Sequence, residues 1–145
     1  MHSKFVKLFL RLALSTAFLS AVADRLGFWP EGLYSWGNWE VFVQSTQAMN
    51  PWFPEAMIPA VAFLATALEV IFAFFLLLGL KTELTAKLSG YLLLAFALAI
   101  TFSSSIKGSF DYSVFTASAA AFALALMKDK YLELDTILFQ SHKEQ

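Results

Sequence analysis

Two charged residues, Arg11 and Glu69, interrupt long apolar segments of the sequence. A charge at the centre of a bilayer costs at least a few kcal/mol unless it is paired or hydrated, so such residues are candidates for ligand binding or proton transfer. Counted along helices at 1.5 Å per residue, Glu69 lies about 16 Å and Arg11 about 9 Å from the same end of their segments. A long guanidinium group could therefore reach Glu69 and form a charge-assisted pair. Alternatively, Arg11 extends to the lipid headgroups, and Glu69 stays protonated with a hydroxyl group or water as its partner.

Three hydroxyl side chains are predicted at a depth close to that of Glu69. By the same count, Ser15, Thr116 and Ser118 lie about 13 to 17 Å from the end of their segments. Together with Arg11 and Glu69 they form a candidate intramembrane polar site to which three segments contribute. Such a layer could hold the polar atom of a ligand or relay a proton.

A second polar cluster is predicted at the opposite ends of the segments. It combines both charge signs with a phenol, and its members are Asp24, Arg25, Lys107, Asp111 and Tyr112. Salt bridges between helix ends, screened by water, are one explanation of this cluster. The other is an outer vestibule that accepts a lipid headgroup, a quinone carbonyl or a small anion.

The residue types that the chain lacks exclude several classes of site. There is no cysteine, so the chain itself forms no disulfide, thiolate metal site or iron–sulfur site. The only histidines are His2 and His142, so bis-histidine ligation of a haem inside the membrane is not expected. No metal site and no covalently bound cofactor are predicted. The net charge of −1 provides no basic field for nucleic acid.

The composition indicates an all-α membrane protein. Hydrophobic residues make up 59% and charged residues only 14% of the chain, whereas soluble domains carry about 25% charged residues. Apolar runs of about 20 residues predict four transmembrane helices in a single domain, residues 1–145. The expected spans are 5–26, 57–80, 86–106 and 110–127.

The first predicted span could also be a cleaved signal peptide. Lys4 and Lys7 precede its apolar stretch, and Ala21-Val22-Ala23 resembles a cleavage site. Arg11 interrupts what would be the apolar core of such a peptide, which favours a retained helix.

The lysines and arginines near the span ends predict the orientation. One side of the bundle would carry eight of them and the other side only Arg25 and Lys107. Cytoplasmic loops carry the excess of such residues. The protein is therefore expected in the cytoplasmic membrane of a bacterium, with both termini on the cytoplasmic side.

The long connection 27–56, expected outside, contains all four tryptophans. Aromatic side chains favour the headgroup level, and Trp36, Trp39, Phe42 and Trp52 form a predicted outer aromatic cover. Trp39, Phe42, Val43 and Thr46 recur at helical spacing, and Asn50-Pro51 would end such a helix. The pattern indicates a short amphipathic helix on the outer surface, which serves either as an interfacial anchor or as a lid over a ligand.

Several motifs resemble the DoxX family of small four-helix membrane proteins. The general features are Arg11, Asp24-Arg25-Leu26-Gly27, the long outer loop, Glu69 and Leu78-Gly79-Leu80. Stretches similar to a bacterial subgroup are Trp36-Gly37-Asn38-Trp39, Ser89-Gly90-Tyr91 and Asp111-Tyr112-Ser113-Val114-Phe115.

The resemblance implies association with redox proteins. The family is named after a subunit associated with a thiosulfate:quinone oxidoreductase, and other members are reported to assemble with redox-active proteins. The chain departs from members that have a lysine or histidine at the outer ends of spans one and three.

Two functions follow as expectations. The first is an accessory subunit that interacts with quinone, with Glu69 or Asp111 as proton acceptor and a redox protein partner that supplies the electrons. The alternative is a non-enzymatic bundle that binds a lipid or hydrophobic ligand, or that supports assembly or stress tolerance of envelope proteins. A transporter of this length would need to form a homo-oligomer. The sequence contains no residue set that completes a catalytic cycle alone.

Overall fold

The computed structural model describes residues 2–140, with side-chain detail for residues 2–138. His142 and Lys143, which entered the predictions on haem and orientation, lie outside the described residues. Within this range the chain is helical, with no strand. The helices are α1 (His2–Arg25), α2 (Trp39–Met49), α3 (Ile58–Leu78), α4 (Thr82–Ser103), α5 (Ile106–Asp111), α6 (Val114–Leu126) and α7 (Leu134–Gln140), and a 3-10 turn at Glu55–Met57 leads into α3.

Three helical segments are long and apolar enough to cross a membrane. They are His2–Arg25, Glu55–Leu78 and Thr82–Ser103. Their helices correspond to the first three predicted spans. Large apolar side chains on their outer faces, such as Phe9, Phe63 and Phe102, are exposed. This is the pattern expected of helices that face lipid, and it agrees with association with a bilayer.

The fourth predicted span, residues 110–127, is not one continuous helix. The chain forms α5, turns at Tyr112 and Ser113, and then forms α6, which has 13 residues. At 1.5 Å per residue α6 is about 20 Å long, which is shorter than the ~30 Å hydrocarbon layer. Ser113 adopts a left-handed conformation with φ of 55°, and this breaks the helical hydrogen-bond pattern.

Small residues bring the helices of the bundle together. α4 packs most extensively against α6, and α1 packs against α3. Ala86 and Ala121 are fully buried in the core, and the Ser118 hydroxyl donates to the Gly90 carbonyl at 2.8 Å. Small side chains allow close helix approach in membranes. The large members of the core are Leu14, Phe18, Phe72, Leu76 and Leu124.

The predicted short helix in the long connection is present as α2. Asn38 caps it by accepting from the Val41 N–H at 3.0 Å. α2 packs on α3 and α4, with Phe42 and Thr46 buried and Trp39 half-buried. The face predicted from the spacing therefore meets the bundle.

One end of the bundle, which we call the basic end, carries most of the lysines. Lys7 and Arg11 of α1 contact residues 129–133, and Lys128 pairs with Glu83 at the start of α4. These contacts bring the start of α1, the start of α4 and the chain after α6 together. The basic residues here are Lys4, Lys7, Arg11, Lys81, Lys87, Lys128 and Lys130. The acidic ones are Glu83, Asp129, Glu133 and Asp135.

Gly79, which ends α3 at the basic end, has two reasons to be glycine. Its φ of +70° is left-handed, and an added Cβ would lie 2.6 Å from Glu133 Cα. Gly32 has a φ of +86° but open space around it, so it is a matched control. We expect Gly32→Ala to cost about 1–2 kcal/mol of unfolding free energy for the backbone alone. Gly79→Ala should cost a further 1–3 kcal/mol or so from overpacking.

Unfolding of both variants in mixed dodecylmaltoside–SDS micelles, followed by tryptophan fluorescence, measures this difference. Equal losses in the two variants would contradict the close approach of Glu133 to Gly79.

Candidate functional site

The partner of Glu69 is Arg25, the last residue of α1. Both side chains are buried, each residue being only 3% exposed. Arg25 Nη1 contacts Glu69 Oε2, and Nη2 donates to Oε1 at 3.1 Å, so the pair is bidentate. Nη1 also donates to the Thr66 hydroxyl at 2.7 Å, one turn before Glu69 on α3. Bidentate arginine–carboxylate pairs combine charge with fixed geometry.

Aromatic rings of the connection cover this ion pair. The guanidinium carbon of Arg25 lies 3.9 Å from the centre of the Phe42 ring and 5.2 Å from that of Trp36. Trp36 and Trp39 in turn contact Phe42, with ring centres 5.1 and 5.6 Å apart. Guanidinium groups are attracted to ring faces. The cover also removes water from the pair, which strengthens its electrostatic attraction and raises the cost of breaking it.

Asp24 fixes the part of the connection that carries Trp36. Its carboxylate accepts from the backbone N–H groups of Ser35, Trp36 and Gly37 at 2.7, 3.0 and 2.8 Å. Asp24 therefore holds the connection while its neighbour Arg25 holds α3. Two adjacent residues of opposite charge thus join α1, the connection and α3 at one point.

An open apolar groove of about 490 Å³ lies beside the ion pair. Thr66, which accepts from Arg25, lines it, as do Val22 and Leu26 from the helical turn that carries Arg25. Other lining side chains are Trp39, Phe63 and Ile71. The Arg25 Nε–H is buried and has no hydrogen-bond partner among the described residues. The site therefore combines a mostly apolar groove with a buried ion pair behind Thr66, and Arg25 itself does not line the groove.

Neither of the two alternatives for Arg11 is found, because it does not pair with Glu69 and it does not extend to the surface. Arg11 is 1% exposed. Its Nε and Nη2 donate to the carbonyls of Leu76 and Leu77 at 2.8 and 3.0 Å. The last carbonyls of a helix have no partner within the helix, so an arginine is well suited to satisfy them. Arg11 Nη1 adds two bonds, to the carbonyls of Tyr131 and Leu132, at 2.9 and 3.0 Å.

These last bonds hold the segment that follows α6, residues 127–133, which we call the strap. Lys7, also buried, donates to the Asp129 carbonyl at 2.6 Å and lies 2.7 Å from Glu133 Oε1. The strap is thus fixed to α1 and to the end of α3 across the basic end.

The predicted layer of hydroxyl groups around Glu69 does not form. The Ser15 hydroxyl donates to the Arg11 carbonyl at 2.7 Å, and Ser118 donates to Gly90. Both are buried and bonded to main-chain carbonyls, while Thr116 is exposed. A serine can satisfy its hydroxyl on the preceding turn of its own helix, which removes it from any polar layer.

The predicted outer vestibule is divided between two places. Asp24 and Arg25 are buried under the connection. Lys107 and Asp111 instead pair with each other across one turn of α5 at 2.6 Å, and both are exposed. Tyr112, which follows α5, is exposed as well. An exposed pair of this kind contributes little to stability.

The aromatic cover is formed by three of its four predicted members. Trp36 and Trp39 each contact Phe42, whereas Trp52 is exposed and its ring meets no other aromatic ring within residues 2–138. In the same range no group of three or more potential metal ligands converges.

Sequence reasoning missed Thr66, Lys7 and Glu133, the strap residue whose carboxylate pairs with Lys7. Thr66 and Glu69 are three residues apart, so they share one face of α3, and this spacing was a signal for a common partner. Lys7 and Glu133 had no such signal, because they are far apart in the sequence.

No protein-family model, curated protein or solved structure matches the chain. The site must therefore be interpreted from its own geometry.

Proposed function

We propose that this protein is an integral membrane bundle that binds a hydrophobic, membrane-soluble ligand in the groove between α1, α2 and α3. The observation that carries the proposal is an apolar groove of about 490 Å³ beside a buried arginine with an unpartnered N–H. Ligand pockets commonly have volumes of about 300–1,000 Å³ and apolar walls with a few placed polar groups. A ligand with a long apolar part and one hydrogen-bond acceptor fits this combination.

In this proposal the chain crosses the membrane four times. α5 and α6 have 6 and 13 residues, together about 29 Å of helix at 1.5 Å per residue, which is close to the ~30 Å hydrocarbon layer and would suit a kinked fourth span. The basic end then lies on the cytoplasmic side of the membrane, because lysine and arginine are enriched in cytoplasmic loops. Both termini are cytoplasmic, and the groove lies in the outer half of a bacterial cytoplasmic membrane.

The unpartnered N–H of Arg25 favours a quinone as one type of ligand. A quinone ligand would give the protein a second, more specific function. A quinone carbonyl is an acceptor on a ring that carries a long apolar tail; the tail matches the groove, and the carbonyl would have to pass the groove wall to reach Arg25, which does not line the groove. The protein would then be an accessory subunit of a membrane redox system, as the resemblance to DoxX implies. Glu69 could take up a proton only if its pair with Arg25 opened. The electrons would come from a partner protein.

Filling the groove should abolish binding. Ala67 lines the groove, and Ala67→Phe introduces a ring into it. We expect decylubiquinone or a dibrominated phospholipid to quench tryptophan fluorescence through Trp39, which lines the same groove, and Ala67→Phe to raise the Kd obtained from this quenching about tenfold, equivalent to 1.4 kcal/mol. Quenching is measured by titration of the purified protein in dodecylmaltoside.

The matched control is Ala119→Phe, because Ala119 is an exposed alanine on α6 and does not line the groove. Quenching by the brominated lipid alone would support the ligand-binding function and rule out the quinone-linked one. Equal quenching in both phenylalanine variants would disprove the proposed groove.

A further inference from the structure

The helix α7 presents apolar side chains to the outside at the basic end. Ile137 is 68% exposed, and Leu132 and Leu134 are exposed too. These side chains and Leu78, the last residue of α3, surround a second open groove of about 470 Å³. The exposed apolar surface of α7 is therefore continuous with the end of a helix that faces lipid.

The outward direction of this surface is fixed by bonds on the other side of α7. Asp135 is buried, and its carboxylate accepts from the Lys81 backbone N–H at 2.9 Å. Its own N–H donates to the Gly79 carbonyl at 3.3 Å. A helix as short as α7 is marginal in water. Its attachment through Asp135 and the strap lets it present Leu134 and Ile137 as a preformed surface.

The charges around this surface favour an anionic partner. Among the described residues, seven basic side chains and four acidic ones lie at the basic end. Lys7 and Arg11 are buried, and Lys128 and Lys130 are near carboxylates. The lysines that are exposed and have no ion pair with any described residue are Lys4, Lys81 and Lys87. They can interact with phosphate groups at the level where the bundle meets the headgroups.

We propose that the strap and α7 form an interfacial anchor that lies on the bilayer at the basic end and binds anionic lipid headgroups. Leu132, Leu134 and Ile137 enter the outer edge of the acyl layer, and the unpaired lysines meet the phosphates. Continuity with the end of α3 and the excess of positive charge select an anionic lipid surface as the occupant. This inference needs only that the long helices cross a bilayer, and it is independent of the ligand groove.

The absence of cysteine makes a direct test straightforward, since one introduced cysteine carries the only label. Ile137→Cys is labelled with a nitroxide in the full chain, reconstituted in vesicles of phosphatidylcholine with or without an equal part of phosphatidylglycerol. Power-saturation EPR then compares collisions with oxygen, which partitions into lipid, and with a water-soluble nickel chelate. We expect a depth of about 5–10 Å below the phosphates in the anionic vesicles, the range for interfacial helices.

The control label is Asp129→Cys, which is exposed on the same strap but polar, and which should stay in water. Combined Lys4→Gln, Lys81→Gln and Lys87→Gln substitutions should make the Ile137 label shallower in the anionic vesicles. If Ile137→Cys fails to fold, Leu134→Cys replaces it.

Three results would overturn the anchor. The first is a label at position 137 that the nickel chelate reaches as readily as it reaches position 129. The second is a label shielded from both reagents, which would indicate a protein partner on this surface. The third is a depth that changes neither with phosphatidylglycerol nor with the lysine substitutions, which would exclude recognition of anionic headgroups.

Discussion

Glu69→Leu should lower the free energy of unfolding by about 3–5 kcal/mol, the cost of leaving one buried charge without its partner. The substitution removes the carboxylate that accepts from both terminal nitrogens of Arg25 and leaves the guanidinium buried between Thr66, Phe42 and Trp36. Trp36 stacks on that guanidinium. Its fluorescence in the folded variant should therefore differ from that in the folded wild type, before any denaturant is added. Denaturation in mixed micelles followed by tryptophan fluorescence measures both effects.

The double variant Arg25→Met with Glu69→Leu separates charge from packing. Replacing a whole buried pair by apolar side chains is often neutral or stabilising, so the double variant should recover most of the loss. It still lacks the contacts of the guanidinium with the rings, worth up to about 2 kcal/mol. Glu55→Gln, at an exposed carboxylate, is the control for loss of charge alone. A single Glu69→Leu variant as stable as this control would show that the pair is not buried.

The second large effect is expected from Arg11→Leu, which should release the strap. Arg11 donates four hydrogen bonds to main-chain carbonyls, two on α3 and two on the strap. Hydrogen bonds to charged groups contribute about 1.5–3 kcal/mol each but are not additive, so we expect a total loss of at least about 3 kcal/mol. Released strap residues would exchange their amide hydrogens faster, and trypsin would cleave after Lys130.

Arg11→Lys and Lys4→Leu are the two controls. Lysine at position 11 keeps the charge but not the planar arrangement of donors, so intermediate cleavage is expected. Lys4 is an exposed lysine of the same helix, and its loss should leave the strap protected. Hydrogen exchange of residues 129–135 that stays slow in Arg11→Leu would show that Lys7 and Asp135 hold the strap without Arg11.

Much of the fold could be predicted from composition and periodicity. Apolar runs identify the three long helices, and the spacing of Trp39, Phe42 and Thr46 identifies the buried face of α2. The break at Tyr112 and Ser113 could not be predicted by hydropathy, because the stretch remains apolar on both sides. Backbone conformation at Ser113, rather than side-chain polarity, interrupts the helix.

Most residues of the candidate site could be predicted from the sequence, but the partners with which they pair could not. Glu69, Arg25 and the aromatic residues were all expected to matter, but depth counted along separate helices placed Arg25 at the rim and Arg11 nearer to Glu69. That count ignores how the connection folds back over the end of α1, which buries Arg25 under Trp36 and Phe42. It also ignores main-chain carbonyls as partners, and these are what Arg11 binds.

The strap also affects the order in which the protein can be completed. Lys7 and Arg11 are made well before their partners at Asp129 and Tyr131, which are 122 and 120 residues further along the chain. At about 5–20 residues per second, the two charges wait on the order of ten seconds for these partners. During that interval the nascent first helix carries two cations that water or headgroups must solvate. Closure of the bundle at the basic end is therefore a late event, which follows synthesis of the three long helices and depends on residues made after them.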